Sequence, residues 1–290
     1  MYISIRDGIV MHAKYPSLAQ GLRELGVEAV ELAYGRDQGV TALDKPEQWR
    51  LDSPDAVRRY QEHLEKHGVR PSAFLLGTNF NQPDLDAEVE WVMGAVRAGH
   101  ILGMAAVRVD SAMSGERELP MEDRVARYVQ GIKRVLQETD DTQVALGVEN
   151  HGFQGNDPEW LDSLFARVDS PRFGMTLDTG NFYWAGHPLD RVYQILEHFA
   201  PLTKHTHAKN IAYPAEMRNT QRQIGYEYGK YVAPLDEGDI DHHRVARILT
   251  KAGYKGDLCI EDESLGHYSE AEQREVLRRD VQHFREVLKD

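Results

Sequence analysis

The segment VALGVEN, residues 144–150, has the side-chain pattern of a strand buried inside a closed barrel. Its valine and leucine residues share one face, while alanine, glycine and Glu149 share the other. Side chains alternate across a strand, so we expect the bulky face to pack on helices and the small face to point toward the barrel axis. The segment FGMTLD, residues 173–178, repeats the pattern and places Asp178 on its small face.

Short apolar runs alternate with longer amphipathic stretches along the whole chain, which is typical of a parallel sheet with crossover helices. The predicted strands are residues 2–10, 27–34, 69–76, 104–110, 144–150, 173–178, 203–209 and 257–262. Eight such units in 290 residues predict an α/β protein with a (β/α)₈ TIM barrel fold, one domain over residues 1–290. A doubly wound open sheet is the alternative, and the lack of a glycine-rich dinucleotide-binding motif disfavours it.

The connections between these strands include helices with recognisable starts and one long loop. The dipeptides Ser53–Pro54 and Asp157–Pro158 fit an N-cap followed by proline at the first helical position. Residues 211–241 follow the seventh strand and show little helical periodicity. Long loops at this end of a barrel carry lids and substrate contacts, although a surface excursion or an oligomer contact stays open for this one.

The chain carries 34 basic and 47 acidic residues, a formal net charge of −13 at pH 7. Such a surface repels polyphosphate, so we expect small ligands or metals as partners, rather than nucleic acid or an anionic membrane. Self-association into a homo-oligomer stays open. The one cysteine, Cys259, cannot form an intrachain disulfide, and no stretch approaches the roughly 20 consecutive apolar residues of a membrane span. Because the N-terminal segment also lacks a secretory apolar core, we expect a cytoplasmic protein.

Four consecutive predicted strands end in ionisable side chains. These are Glu149, Asp178, His207 and Glu261. The first three are spaced 29 residues apart, about one β/α unit, so the four side chains are expected to converge at the mouth of the barrel. Three carboxylates this close together would repel one another and take up protons unless a cation were present. The pattern therefore predicts a site for a divalent metal ion.

Three oxygens and one imidazole suit a borderline to hard cation, which favours Mn²⁺ with Mg²⁺, Co²⁺ and Zn²⁺ as competitors. His205 has the same parity as His207 and lies two residues earlier on the strand. We favour His207 as the ligand because it lies nearer the strand end. His205 is then either a support for a metal ligand or a hydrogen-bonded core histidine.

Several motifs resemble the xylose isomerase-like superfamily of sugar isomerases and epimerases. They are GVEAVEL (26–32), GVENH (147–151), LDTGN (177–181), HTHAKN (205–210), PLDEGDID (234–241) and GYKGDLCIEDES (253–264), which together span nearly the whole chain. The resemblance implies that Glu149, Asp178, His207 and Glu261 are the metal ligands. It also implies that the two glutamates act as the acid and base pair, one on each face of the substrate.

The implied activity is proton transfer on a sugar, keto-sugar or related polyol, through a metal-stabilised enediolate. Return of the proton to the same carbon gives an epimerase, and return to the neighbouring carbon gives an isomerase. Departure of a β-leaving group from an inosose or keto-sugar would instead make the protein a dehydratase or another lyase. The ligands alone do not choose among these outcomes.

Three further side chains are candidates for binding the substrate at the mouth of the barrel. His151 shares the parity of Glu149 and is predicted to contact a hydroxyl, while Lys209 shares the parity of His207 and is predicted to contact the enediolate oxygen. Related epimerases often have histidine three residues after the aspartate, where this chain has Asn181. Its amide can bind a hydroxyl but cannot shuttle a proton.

Charged residues elsewhere have two interpretations each. Arg108 is a candidate substrate contact on strand four, although a buried pair with Asp110 that braces the barrel is the alternative. Glu31 at the end of strand two has the same ambiguity. In the long loop, Arg218 and Arg222 are candidates for binding a substrate carboxylate or phosphate, or are solvated loop charges.

Two functions of other classes compete with the enzyme. A metal-dependent endonuclease of related architecture needs additional metal-binding histidines and a basic surface facing DNA, which the net charge of −13 argues against. A noncatalytic scaffold that binds carbohydrate or metal stays open, because a fold does not imply an activity.

Overall fold

Eight parallel strands form a nearly closed barrel in the computed structural model, which describes residues 1–45 and 47–289. The barrel strands are β1 Tyr2–Arg6, β2 Ala29–Ala33, β3 Arg70–Leu76, β4 Ala106–Asp110, β5 Ala145–Glu149, β6 Phe173–Asp178, β7 Thr203–His207 and β8 Asp257–Ile260. Strands adjacent in this series pair with each other, and β8 pairs with β1. Beyond β7, the Ala208 amide donates to the Cys259 carbonyl (2.8 Å) and the Glu261 amide to the Ala208 carbonyl (3.0 Å). The predicted TIM barrel fold is confirmed.

Helices connect the strands and surround the barrel. They are α1 Asp7–His12, α2 Leu18–Leu25, α3 Pro54–Lys66, α4 Leu85–Ile101, α5 Met121–Glu138, α6 Pro158–Val168, α7 Asn181–Trp184, α8 Leu189–Phe199, α9 Tyr228–Tyr231, α10 His242–Lys251 and α11 Glu270–Val287. Short 3₁₀ turns lie at Gln154–Asn156, Ala200–Leu202, Ala215–Met217 and Ser264–His267. Two small antiparallel pairs join Gly39–Thr41 to Gln48–Arg50 and Asn210–Ile211 to Val232–Ala233.

The two faces of the barrel strands differ in size as their alternation predicts. Phe173, on the bulky face of β6, contacts the ring of Phe165 in α6 at 5.3 Å between ring centroids. On the small face, a Cβ added to Gly147 would lie 2.5 Å from Thr176 Oγ1 and 2.9 Å from the Thr176 backbone nitrogen. The interior of the barrel therefore has no room for a larger residue at this position, because neighbouring strands approach too closely.

Both predicted helix starts are confirmed. Ser53 Oγ accepts a hydrogen bond from the Ala56 amide (3.2 Å), and the Asp157 carboxylate accepts one from the Glu159 amide (3.0 Å). These bonds satisfy amides that have no partner within the first turn of a helix.

The first predicted strand is wrong beyond Arg6, because residues Asp7–His12 form a helix instead. The carboxylate of Asp7 accepts hydrogen bonds from the Gly8 amide (2.6 Å) and from the Thr41 hydroxyl (2.7 Å). An acidic residue in the first turn of a helix is favourable, and this one also ties the helix to a loop far along the chain. Residues 8–11 form a short apolar run, and the order of apolar and polar residues in so short a run does not distinguish a helix from a strand.

The segment 211–241 is ordered by short elements of its own. Ile211, together with the preceding Asn210, forms an antiparallel pair with Val232–Ala233. The segment also contains a 3₁₀ turn at Ala215–Met217 and the helix α9. Across the described ranges 1–45 and 47–289, no helix has the length and apolar character needed to cross a membrane.

Candidate functional site

The four ionisable residues at the ends of β5 to β8 meet in one buried cluster. Glu149, Asp178 and His207 are the last residues of β5, β6 and β7, and Glu261 directly follows β8. One ligand atom from each lies within 4.8 Å of those of the other three. Their residues are 1%, 0%, 0% and 3% exposed, respectively. We call this set the ligand cluster.

Three atoms of the ligand cluster are buried and make no hydrogen bond to any described residue. They are Asp178 Oδ2, His207 Nδ1 and Glu261 Oε2. The imidazole nitrogen His207 Nδ1 lies 3.2 Å from Glu149 Oε1 and 3.2 Å from Glu261 Oε2. Asp178 Oδ2 and Glu261 Oε2 also lie within ion-pair distance of the Lys209 ammonium. Buried polar atoms nearly always have hydrogen-bond partners, so three that face one another without one are available to bind a cation. Their chemistry, three carboxylates and one imidazole, fits a borderline to hard divalent metal ion.

Other hydrogen bonds occupy the second oxygen of each carboxylate. Glu149 Oε2 accepts from Arg108 Nε at 2.5 Å, and Glu261 Oε1 accepts from Arg6. Asp178 Oδ1 accepts from the backbone amides of Gly180 (2.8 Å) and Asn181 (2.7 Å). Each carboxylate is thus held by one oxygen and presents the other to the cluster, the arrangement that a metal ligand requires.

Burial and neighbouring charge compete in setting the pKa values of the cluster. Burial raises the pKa of Asp178 above its usual range. Burial also acts on Glu149, but the positive charges of Arg108 and His207 outweigh it and hold the pKa of Glu149 well below its usual range. The neighbouring carboxylates overcome the burial of Lys209 and raise its pKa. Glu149 therefore ionises more readily than Asp178.

Within residues 1–45 and 47–289, two further groups of side chains approach closely enough to hold a metal ion. In the first, Glu31, His205, His207 and Cys259 are all buried. Its Glu31 carboxylate already hydrogen-bonds both imidazoles at 2.9 Å, so these polar atoms satisfy one another.

The second group comprises Asp44 before α3, His63 within it and His67 directly after it. Its Asp44 is exposed, and His63 Nε2 accepts a hydrogen bond from the Leu43 amide at 3.3 Å. The ligand cluster differs from both groups because all four of its residues are buried and three of them direct a ligand atom without a hydrogen bond toward the others.

Three residues predicted to bind substrate lie directly at the ligand cluster. Asn181 Nδ2 donates to Glu149 Oε1 at 3.2 Å. Lys209 Nζ lies 3.4 Å from Asp178 Oδ2 and 3.2 Å from Glu261 Oε2. Arg108 contacts Glu149, and its Nη1 also lies 3.3 Å from Asp110 Oδ2, so the buried pair with Asp110 is present while a substrate contact for this arginine stays a prediction.

Two more of the predicted contacts, His151 and Arg218, have partners of their own. His151 is partly exposed, and its Nδ1 lies 2.9 Å from Asp110 Oδ1; this hydrogen bond raises the pKa of His151. Arg218 Nε forms an ion pair with Asp239 Oδ1 at 2.8 Å, within the connection between β7 and α10. The structure does not bring Arg218 into the ligand cluster, and a substrate contact for it stays a prediction.

Asn150 has a structural role between two strands. Its Nδ2 donates to the Asp178 carbonyl at 3.0 Å, and its Oδ1 accepts from the Asp178 amide at 2.8 Å. The amide side chain therefore fixes the backbone of Asp178 relative to β5. The sequence GVENHG thus contains a member of the ligand cluster in Glu149, a backbone clamp in Asn150 and a partner of Asp110 in His151.

Sequence reasoning missed three residues at the site. Arg6 binds Glu261, and it was hidden because the first strand was predicted to run past it. Glu263 accepts from Lys209 Nζ at 3.0 Å and also from the hydroxyl of Tyr228 in α9. The signal for Glu263 was its place in the IEDES motif, whereas nothing in the local pattern pointed to Tyr228.

Comparison with known proteins agrees with this architecture. A family model described as xylose isomerase-like TIM barrel matches residues 19–287. A structure of the IOLI protein with a zinc atom is 16% identical, with a TM-score of 0.73 over 99% of this chain and 98% of that one. An L-ribulose 3-epimerase is 17% identical, with a TM-score of 0.70 over 100% and 95%. Mannonate dehydratase from Streptococcus suis is 14% identical, with a TM-score of 0.67 over 99% and 93%.

These structural likenesses show the fold alone at such identities. No curated protein matches the chain significantly. The family model, in contrast, spans nearly the whole chain and includes all four strand ends of the ligand cluster. The chain therefore belongs to the xylose isomerase-like TIM barrel family.

Proposed function

We propose that this protein is a divalent-metal-dependent isomerase or epimerase that moves a proton on a sugar, keto-sugar or related polyol carbonyl compound. The observation that carries the proposal is the ligand cluster, in which three buried atoms without a hydrogen bond face one another. The family membership and the similar fold of an epimerase support it. We favour Mn²⁺ as the bound ion, and Zn²⁺ is the alternative because one similar structure contains a zinc atom.

Glu149, Asp178, His207 and Glu261 would hold the metal ion. When bound there, a divalent cation supplies a Lewis acid that polarises a substrate carbonyl and offsets the negative charge of the carboxylates. The residues suit this role because Asp178, His207 and Glu261 each direct a ligand atom without a hydrogen bond into the cluster while their other polar atom is held elsewhere. Glu149 directs Oε1 into the cluster, where it accepts from Asn181.

Glu149 and Glu261 are the proposed base and acid. They come from β5 and β8, which are three strands apart around the barrel, so they approach a bound substrate from different sides. Arg108 donates to Glu149 and Arg6 donates to Glu261, and both arginines stay charged over the pH range in which proteins are stable. A carboxylate oriented in this way can remove a carbon-bound proton, and the second can return one.

Asn181, Lys209 and His151 are the proposed contacts to substrate oxygens. The Lys209 ammonium is buried beside Asp178 and Glu261, where it can donate to an oxygen that gains negative charge. Asn181 offers an amide to a hydroxyl, and His151 is the most exposed of the three. Cytoplasmic location and self-association stay predictions.

A dehydratase or other lyase is the second candidate. The same base can remove the proton, and departure of a β-hydroxyl then replaces reprotonation. Its support is the fold shared with mannonate dehydratase. Product analysis separates the two, because a lyase releases water and leaves a new unsaturated or keto product.

The direct test is exchange of substrate C–H hydrogen with D₂O, followed by NMR on a panel of ketoses, keto-sugars and inososes with Mn²⁺-loaded protein. We expect deuterium to enter at the carbon beside the carbonyl of one substrate class. Glu149→Gln and Glu261→Gln should lose exchange by more than about 100-fold, while the exposed control Glu65→Gln keeps it. Failure of every substrate to exchange, in a protein that has bound metal, would refute the proposal in favour of a noncatalytic scaffold.

A further inference from the structure

We infer that Glu31, His205 and Asp257 form a positioning chain that runs through the barrel interior and holds His207 in the orientation a metal ion needs. The inference rests on the proposed metal site and concerns residues outside it. None of the three contributes an atom to the ligand cluster.

The positioning chain begins at the nitrogen of His207 that faces away from the ligand cluster. His207 Nε2 lies 2.9 Å from both oxygens of the Glu31 carboxylate. An ionised carboxylate only accepts hydrogen bonds, so this contact requires the proton of the ring at Nε2. In the neutral ring, the lone pair is then on Nδ1, the atom that faces Glu149 and Glu261 without a hydrogen bond. Glu31 thereby selects both the tautomer and the ring orientation.

The second link fixes Glu31 itself. Glu31 is fully buried, and its Oε1 lies 2.9 Å from His205 Nε2. Arg6 Nε approaches the other oxygen at 3.6 Å. Burying a carboxylate costs several kcal/mol unless charged or hydrogen-bonding partners offset it, and His205 supplies such a partner. Without His205, the Glu31 carboxylate would lose a hydrogen-bond partner, and we expect its side chain to rotate away from His207.

The third link reaches the opposite end of the barrel. His205 Nδ1 lies 2.9 Å from Asp257 Oδ1, and the Tyr254 hydroxyl donates to the same oxygen at 3.0 Å. Ser4 donates to the other oxygen of Asp257. Asp257 is the first residue of β8, whereas His207 is the last residue of β7, so the contacts extend from the N-terminal end of the barrel to the ligand cluster.

A purely structural role is a weaker explanation of the positioning chain. The interior of a TIM barrel is usually filled by branched apolar side chains, which need no desolvation of charge. Here each ring nitrogen of His205 contacts a buried carboxylate, Asp257 at Nδ1 and Glu31 at Nε2. Glu31 in turn contacts the proposed metal ligand His207. Buried ionic groups add little net stability compared with apolar packing. An orienting role explains why these groups point at one another in series.

The test is the affinity for Mn²⁺, measured by titration calorimetry on the full-length protein and its variants. Glu31→Gln is expected to weaken binding about 10- to 100-fold, the usual effect of losing a partner that orients a metal ligand. The glutamine amide can donate to His207 Nε2 and so favour the unproductive tautomer. Asp257→Asn, which touches no member of the ligand cluster, is expected to weaken binding by several-fold.

The matched control is Thr176→Val, because Thr176 is equally buried inside the barrel and its hydroxyl donates to the Gly147 carbonyl at 3.1 Å, outside the positioning chain. This variant should bind Mn²⁺ as the unaltered protein does. A second readout is the visible absorption of bound Co²⁺, which reports the coordination geometry and should change in Glu31→Gln but not in Thr176→Val.

The outcomes separate this inference from the proposed function. If the unaltered protein binds no divalent metal, the proposed site fails and the positioning chain loses its purpose with it. If that protein binds Mn²⁺ and Glu31→Gln binds it equally well with an unchanged Co²⁺ spectrum, the positioning chain alone is wrong. Should Glu31→Gln not fold, as judged by circular dichroism, unchanged affinity in Asp257→Asn would likewise refute the positioning chain.

Discussion

The two carboxylate oxygens of Asp178 lie in different surroundings. Its Oδ1 accepts two backbone hydrogen bonds, while its Oδ2 makes none to the described chain and faces the ligand cluster. Burial raises the pKa of this carboxyl, because the charged form is disfavoured there. The pKa stays raised although Lys209 Nζ lies 3.4 Å from Oδ2, so the charged form of Asp178 costs stability that a bound cation would offset.

We predict that Asp178→Asn separates stability from metal binding. The metal-free variant should unfold at the same or a higher temperature, because the amide keeps the shape and removes the buried charge. The unaltered protein should gain about 2.7 kcal/mol from Mn²⁺ at 100 times its dissociation constant. The variant should lose most of that gain.

Thermal unfolding with and without Mn²⁺ measures both effects. Asp55→Asn on α3 is the control, since Asp55 is exposed and pairs only with the neighbouring Arg58 among the described contacts. A full metal-induced increase in the unfolding temperature of Asp178→Asn would show that Asp178 is not a ligand.

The segment 211–241 shows at the scale of an element why a loop rich in polar residues is nonetheless ordered. Arg222 was a candidate for binding a substrate anion, yet its guanidinium is buried inside this segment. It donates to the Met217 carbonyl at 2.7 Å and to the Tyr183 carbonyl at 3.2 Å, and lies over the rings of Tyr183 and Tyr213. This arginine therefore ties the segment to α7, which follows β6 directly.

We predict that Arg222→Met loosens the segment without unfolding the barrel. Hydrogen bonds from a charged group contribute about 1.5 to 3 kcal/mol each, and the lost bonds leave buried carbonyls unsatisfied. Hydrogen–deuterium exchange followed by mass spectrometry should show faster exchange in 211–241 and unchanged exchange in β1 to β8. Arg218→Gln removes a half-exposed guanidinium from the buried Asp239 carboxylate, and should have a smaller effect because the Tyr183 hydroxyl and the Tyr213 amide still donate to Asp239. Uniformly faster exchange throughout the chain would contradict this local role.

The contact between α10 and α11 affects the stability of the whole molecule. His242 Nδ1 lies 3.1 Å from His283 Nε2, and the His242 ring packs edge-on against Phe284. Burial, with the nearby His283, lowers the pKa of His242 to about 3. The unfolded chain takes up a proton near pH 6.5, whereas the folded chain does so only near pH 3. The folded state therefore loses stability as the pH falls between these values.

We predict that His242→Gln makes the protein less sensitive to acid. One proton bound only by the unfolded state changes the free energy of unfolding by about 1.4 kcal/mol per pH unit. Between pH 7.5 and pH 5, the variant should therefore lose about 2 kcal/mol less than the unaltered protein. Urea unfolding at several pH values measures this difference, with the exposed His12→Gln as control. Equal pH dependence in all three proteins would rule out His242 as the cause.

Much of the fold followed from local patterns. The alternation of bulky and small residues located β5 and β6, and proline after serine or aspartate located the starts of α3 and α6. These features are decided within a few residues by side-chain parity and by capping, so a single sequence reveals them. The predicted convergence of four strand ends followed as well, because neighbouring strands of a parallel barrel end on the same side.

The polar contacts between distant parts of the chain did not follow from such patterns. Glu31 and His207 are 176 residues apart, and Arg6 and Glu261 are 255 residues apart, so no local rule pairs them. The sequence by itself determined which residues lie at the inner ends of the strands, since alternation is a property of each strand alone. Only the tertiary structure decided that His207 faces the ligand cluster while His205 lies between Glu31 and Asp257. The physical reason is that a buried polar group takes whichever partner the packing of distant elements brings within hydrogen-bonding distance.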